Sequence, residues 1–320
     1  MNFTHGQIIL VSCLASSAML TAIIVNALLQ ISASGTVIRE QGPESHKRKA
    51  AVPSTGGRAF LLSLLIVGFT GAIMMTDPRA IIAIAAGLLT GLIGLADDMI
   101  KIARRNSSGL KARYKLPLQI IIGLMVSGAV WYLLSDDSIV IPFAKITVHI
   151  GWWKIIVGLF IYLTIINAVN FTDGLDGLAS STVGIASIFL ALAIIATKTG
   201  TVLIPAILIG ICLSFLPFNR HPAKIFMGDS GSLCLSGAFA AAAIASGLEI
   251  ASIMIGIVFI IEISTVVMQV VYFRLTGGKR IFRMTPIHHA WELRGYKEPA
   301  IVAGFCLVGA IGGLIGWLSV

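Results

Sequence analysis

Long apolar stretches alternate with short polar ones along almost the whole chain. Ten apolar runs stand out, at about residues 8–30, 59–76, 79–96, 116–134, 152–170, 177–197, 202–218, 230–247, 250–272 and 299–319. Most reach the ~17–25 residues with which an α-helix crosses the hydrocarbon of a bilayer. The pattern predicts an all-α polytopic membrane protein with about ten transmembrane helices, forming one integral-membrane domain over residues 1–320. The first run is too long for a signal-peptide core and lacks a basic flank before it, so it is expected to stay uncleaved. Between the fourth and fifth runs, "SDDSIVIPFAKITVHIG" alternates Ile and Val with polar residues around Pro142, which predicts a short surface hairpin. No Pro-rich or Ser-rich linker and no internal repeat interrupts the series.

Composition agrees with a lipid environment, at 57% hydrophobic and 12% charged residues. Cys13, Cys212, Cys234 and Cys306 lie singly in apolar runs and form no C-x-x-C pair, so they read as reduced packing residues. The net charge of +9 would suit nucleic acid in a soluble chain. Here it is lopsided instead. Of the 23 Lys and Arg, all but Arg79, Lys145, Lys154 and Lys198 fall on one side when the polar segments 31–58, 97–115, 171–176, 219–229 and 273–298 are placed together. The positive-inside rule then makes those segments cytoplasmic and puts both termini outside, with membrane lipids rather than nucleic acid as the partner of the basic surface.

The acidic residues sharpen this picture. Among 14, five stand at the cytoplasmic ends of apolar runs: Asp97 and Asp98, Asp173 and Asp176, and Asp229. Carboxylates near hydrocarbon are expensive unless they pair, line water or do chemistry. Each alone reads as a helix cap or a solvated loop residue. Three separate clusters at one membrane depth favour a shared site, and an all-oxygen set suits a hard cation such as Mg²⁺. Asn170, Asp173 and Asp176 are spaced by three, so a helix or helical turn would set them on neighbouring positions. The segment "GDSGSL" opens a helix at Gly228, where backbone N–H groups attract anions. Asp229 there would repel phosphate unless a cation bridges them, which makes it the preferred metal ligand.

The loops supply the complement. Lys49, Lys101 and Lys115 come from these basic loops; a few such cations near the acids suit phosphate oxygens, while most set topology. His288 and His289 follow Thr285-Pro286 in the most basic loop and read as substrate contacts or proton handlers. Acids for a metal, cations for phosphates and a water–lipid boundary together point to phosphoryl transfer between a soluble and a lipid partner.

These segments resemble the polyprenyl-phosphate N-acetylhexosamine-1-phosphate transferase superfamily, and within it the phospho-N-acetylmuramoyl-pentapeptide transferase family. "GPESHKRK", "DDMIK", "GLKARYK", "NAVNFTDGLDGLA", "PAKIFMGDSGSL" and "RIFRMTPIHHAWELRGY" carry the likeness in type, order and spacing over essentially the whole chain. The resemblance implies a cytoplasmic active-site cleft in a bacterial inner (plasma) membrane and dependence on Mg²⁺. It implies transfer of phospho-MurNAc-pentapeptide from UDP-MurNAc-pentapeptide to undecaprenyl phosphate, giving lipid I and UMP for peptidoglycan synthesis. It also leaves room for a homodimer. By the same resemblance, Asp97, Asp98, Lys101, Asp173, Asp176, His288 and His289 match catalytic positions and Asp229 the metal ligand. Lys49, Ser54, Lys115, Asn170, Asn219, Phe226 and Gln269 match substrate positions, with Phe226 suited to stack on uracil. Asp97 or Asp98 would accept a proton from the lipid phosphate or attack phosphorus directly. The chain departs from the family pattern at Ala290, where a third histidine is usual, and at Ala51-Val52-Pro53 in place of Gly-Thr-Pro.

Two other readings stay open at this level. One is transfer of N-acetylglucosamine-1-phosphate to the same lipid, against which the "PIHHAWELRGY" loop speaks. The other is a cation-coupled transporter, which would carry its acids near the bilayer midplane. Glu262, alone deep in a run, fits that second reading better.

Overall fold

The computed structural model describes residues 4–31, 52–104 and 109–320. Lys49 and Ala51 lie outside the described residues. Among the described residues are twelve helices and one hairpin. Helices α1 (His5–Ile31), α2 (Gly57–Met75), α3 (Pro78–Arg104) and α4 (Ala112–Leu133) precede the hairpin. After it come α5 (Trp153–Thr172), α6 (Leu178–Thr197), α7 (Leu203–Asn219) and α8 (Gly228–Ala245). Then follow α9 (Glu249–Ile255), α10 (Ile257–Leu275), α11 (Ile287–Glu292) and α12 (Glu298–Leu318). The expected hairpin is present: β1 (Ser138–Ile141) pairs antiparallel with β2 (Ile146–His149), Ser138 opposite His149 and Ile141 opposite Ile146.

Eight of the helices (α1 to α6, α10 and α12) are long and apolar enough to cross a membrane. The run expected at 202–218 is the shorter apolar helix α7. The run expected as one helix at 250–272 is broken at Gly256 into α9 and α10. Outer helices carry large apolar side chains outward, among them Met19, Ile23, Met125, Tyr132, Leu307 and Ile311. In water such a surface would aggregate; against acyl chains it is the expected solvent face.

Helix α8 is the axis of the bundle, buried without interruption from Ser230 to Ala245. Its composition explains that position, since Ala, Ser and Gly let neighbouring backbones come close where no hydrophobic force separates helix from lipid. Helix α3 makes the most extensive contact with it. At Gly94 a Cβ would fall 2.2 Å from the carbonyl oxygen of Asp229, so only glycine permits this approach. That crossing seats the last turns of α3 directly against the first turn of α8. The start of α3 is fixed by Asp77, whose Oδ1 accepts from the N–H groups of Arg79 at 3.0 Å and Ala80 at 3.3 Å, with Pro78 in the first helical position.

Candidate active site

The last turns of α3 carry Asp97, Asp98 and Lys101, the first turn of α8 carries Asp229, and the first turn of α4 carries Lys115. The fold brings all five together. Lys101 Nζ stands 2.5 Å from Asp97 Oδ2, 3.3 Å from Asp229 Oδ1 and 4.0 Å from Asp98 Oδ1. Lys115 Nζ lies 2.7 Å from Asp229 Oδ2. One oxygen from each of the three carboxylates falls within 4.8 Å of the others. Two ammonium groups thus face three carboxylates, which leaves an unbalanced negative charge for a cation to meet.

The two adjacent aspartates do different structural work. Asp98 accepts from the backbone N–H groups of Asp229 at 3.1 Å and Ser230 at 2.9 Å, holding the N-terminus of α8 with both oxygens. Asp97 accepts from Leu110 N at 2.6 Å with Oδ1 and turns Oδ2 to Lys101. Gly228, at φ +67°, has no room for a side chain, because a Cβ there would sit 2.7 Å from Asp98 Oδ2. The glycine is therefore a requirement of the approach between the two helix ends.

The expectation that Asn170, Asp173 and Asp176 share one face is not met, because α5 ends at Thr172. Asn170 points from the helix into α8, donating to Ser232 Oγ at 2.8 Å. Asp173, just beyond the helix, keeps company with the carboxylate cluster. Desolvation and the charges of Asp229 and Asp98 push its carboxyl up to about 8. Asp176 turns the other way. Its Oδ2 accepts from Ala223 N at 3.1 Å and stands 3.0 Å from His221 Nδ1, while Glu298 Oε2 accepts from Asp176 N at 3.4 Å. Asp176, His221 and Glu298 form a separate group.

Two proposed substrate contacts also prove to be loop fasteners. Asn219 Oδ1 accepts from Gly177 N at 3.2 Å and Ser180 Oγ at 2.9 Å, and its Nδ2 donates to Ile225 O at 3.0 Å. With its amide committed on both sides and 2% exposed, Asn219 shapes the site through the loops it ties. Gln269 Oε1 likewise accepts from the N–H groups of Ile281 and Phe282, each at 3.0 Å. Phe226 and Ser54 lie on two neighbouring strips of backbone. The 53–57 strip pairs with 226–227, Phe226 N donating to Pro53 O at 2.8 Å and Gly57 N to Met227 O at 2.9 Å, while the side chains of Phe226 and Ser54 stay partly exposed.

The histidine loop closes on the same end. His288 is fully buried on α11, and a Cβ on Gly174 would meet its Nε2 at 2.2 Å. Its Nδ1 lies 3.1 Å from Glu262 Oε2, and Glu262 is fully buried as well. Glu262 thus faces His288 closely, although neither side chain completes a hydrogen bond there, a juxtaposition that reading the chain linearly did not supply. His289 stacks edge-on against His288 with ring centroids 4.1 Å apart, and its Nδ1 lies 3.2 Å from Glu292 Oε2. Ala290 is 5% exposed, so a third imidazole there would have to displace its neighbours.

His221, Glu298 and the Glu262–His288 pairing escaped sequence reasoning. The available signals were an imidazole beside Pro222 in a short basic loop, and acids placed where a span would otherwise stay apolar.

A family model described as glycosyl transferase family 4 matches residues 80–247, the stretch from α3 to the end of α8. A phospho-N-acetylmuramoyl-pentapeptide-transferase from Desulforamulus reducens is 40% identical over 298 residues, covering 91% of this chain and 89% of that protein. Transferases of the same name from Shouchella clausii and Staphylococcus aureus are each 41% identical, covering 89% of this chain and 90% and 91% of theirs. The chain belongs to this family. It is accordingly a multi-pass membrane protein of a bacterial transferase family. The matched stretch contains Asp97, Asp98, Lys101, Lys115, Asp173 and Asp229, so the cluster at the helix ends lies within the part that defines the family.

Proposed function

We propose that the protein transfers the phospho-N-acetylmuramoyl-pentapeptide group from its UDP derivative to undecaprenyl phosphate, forming lipid I and releasing UMP. The observation that carries this reading is the cluster of three carboxylates and two lysines where α3, α4 and α8 meet, in a chain about 40% identical to transferases of that name. In this reading all ten apolar runs cross the membrane, α7 and α8 included, with both termini outside. The basic loops, and with them the carboxylate end of the bundle, face the cytoplasm, as the distribution of Lys and Arg supports.

The residues present suit Mg²⁺, which binds hard oxygen ligands and keeps several waters. Asp229, with Asp98 beside it, would hold the ion. When bound, it supplies Lewis-acid polarisation of a diphosphate and neutralises charge between two anions. Lys101 and Lys115 would be released from Asp229 toward phosphate oxygens. Asp98 is held by its two backbone bonds and keeps the helix ends in register. Asp97, with one oxygen free of backbone, would take the proton of the lipid phosphate. An oxygen of that phosphate then forms a bond to the sugar-side phosphorus, the bond to the UMP oxygen breaks, and UMP leaves. Most of the acceleration comes from positioning and charge neutralisation. Phe226 would stack on the uracil, and His288, oriented by Glu262, would close the cleft beside Asp173 and Gly174.

The test is UMP release by purified protein with undecaprenyl phosphate and Mg²⁺, comparing UDP-MurNAc-pentapeptide with UDP-N-acetylglucosamine. The proposal expects release with the first and little with the second. Preference for the second would move the assignment to an N-acetylglucosamine-1-phosphate transferase, and release with neither would remove the transferase reading.

A further inference from the structure

Beyond the carboxylate cluster, the end of α10 and the loop after it line an open cavity of about 300 Å³. Gln269, Phe273 and Thr285 line it together with Arg274, Arg280 and Arg283. No carboxylate lines it. Among the described residues none of the three guanidinium groups makes an ion pair or hydrogen bond. Three guanidinium groups lining one cavity, all solvent-exposed, repel one another, and an anion among them relieves that repulsion. The loop is also held in place, since Gln269 grips the N–H groups of Ile281 and Phe282.

The position of the cavity narrows the choice of anion. Gln269 lies seven residues beyond Glu262 on α10, about 10 Å along the helix axis. Glu262 in turn faces His288, whose ring abuts Gly174 beside Asp173. A peptide of five residues spans up to about 17 Å when extended. A peptide attached by its N-terminus to the sugar ends in a free carboxylate. Such a chain is longer than the roughly 10 Å along α10 between Glu262 and the cavity, which is at the small end of ligand sites and suits a terminal segment alone. Guanidinium forks match carboxylates bidentately.

We propose that Arg274, Arg280 and Arg283 form a subsite for a carboxylate of the peptide borne by the sugar nucleotide. The inference rests on the transferase reading and adds to it a device for recognising the peptide. It separates these arginines from the loop cations that only set topology or touch headgroups.

The experiment measures UMP release in neutral detergent, using UDP-MurNAc-pentapeptide and the same compound with its terminal carboxylate converted to the amide. Each is given to the wild type, to the Arg280→Gln/Arg283→Gln double variant and to Arg283→Lys. For the native substrate the double variant is expected to raise KM about tenfold, the scale of losing charge-assisted hydrogen bonds, and to leave kcat within about twofold. Amidation should raise the wild-type KM by the same factor, and the double variant should add nothing further to it. Arg283→Lys should recover part of the affinity. A variant penalty equal on both substrates would overturn the inference. So would a penalty that appears only in vesicles containing anionic lipid, since that outcome assigns the cavity to headgroup phosphate. Absence of UMP release by the wild type with either substrate would remove the transferase reading, and the inference with it.

Discussion

At the hairpin end of the bundle, Lys154 and Glu249 face each other at 2.6 Å with neither side chain exposed. The ammonium also donates to Ser138 O at 2.6 Å, and Arg79 nearby joins Asp136 at 3.4 Å and Ala245 O at 3.0 Å. At the other end of α5, about 30 Å away along a 20-residue helix, Lys101 is shared among three carboxylates and Asp229 draws on two lysines. The hairpin end pairs one charge with one and seals it. Among the described residues the carboxylate cluster sets three acids against two lysines, with Asp229 and Lys101 partly exposed. Closed pairs fasten elements; a set with surplus charge at an open helix junction is arranged to receive something.

The largest effect that would break this contrast is on turnover. Asp229→Asn should lower kcat by a thousandfold or more, on the order of the loss of a principal charge-stabilising group, with the fold retained. Thermal unfolding beside UMP release checks both halves. At the hairpin end the effect should fall on stability instead. Lys154→Met alone is expected to cost about 3–5 kcal/mol by stranding Glu249, and adding Glu249→Leu should restore most of it. Equilibrium unfolding of single and double variants reads this directly, and the folded fraction should keep wild-type kcat.

Glu262→Gln sharpens the same contrast within the carboxylate end. The amide keeps the shape but removes the charge facing His288, so kcat is expected to fall about tenfold or more with KM little changed. A loss confined to stability would class this pair with Lys154 and Glu249. A smaller effect concerns Asp173. A carboxyl with its folded value near 8 stays protonated while the unfolded chain ionises near 4, so it withdraws stability as pH rises between those values. Without divalent ions, wild type should lose thermal stability from pH 5 to pH 8.5 relative to Asp173→Asn. Equal slopes would contradict the effect of desolvation and of the Asp229 and Asp98 charges on Asp173. The smallest expected change is Ala290→His, where overpacking a buried site costs about 1–3 kcal/mol while the His288 contacts remain.

Eight of the expected spans, the hairpin and the meeting of Asp97, Asp98 and Asp229 were legible in the chain, because hydropathy period and membrane depth are local properties. Asp176 was not, since the spacing of three from Asp173 holds only while the helix continues, and α5 ends at Thr172. The commitments of Asn219 and Gln269 to backbone groups depend on where their neighbouring loops fold back, which spacing does not encode. Glu262 looked like a transporter acid because its partner, His288, lies 26 residues on, beyond a loop that returns to the bundle. The break at Gly256 was hidden in an apolar run that reads as one helix.

The most direct test of the open, charge-surplus end is Mn²⁺ binding to purified protein, followed by electron paramagnetic resonance and competed with Mg²⁺. The account expects Mg²⁺-displaceable binding in wild type and in the Lys154→Met/Glu249→Leu variant, and its loss in Asp229→Asn. Binding that survives Asp229→Asn unchanged, or that disappears with the hairpin-end pair, would contradict it.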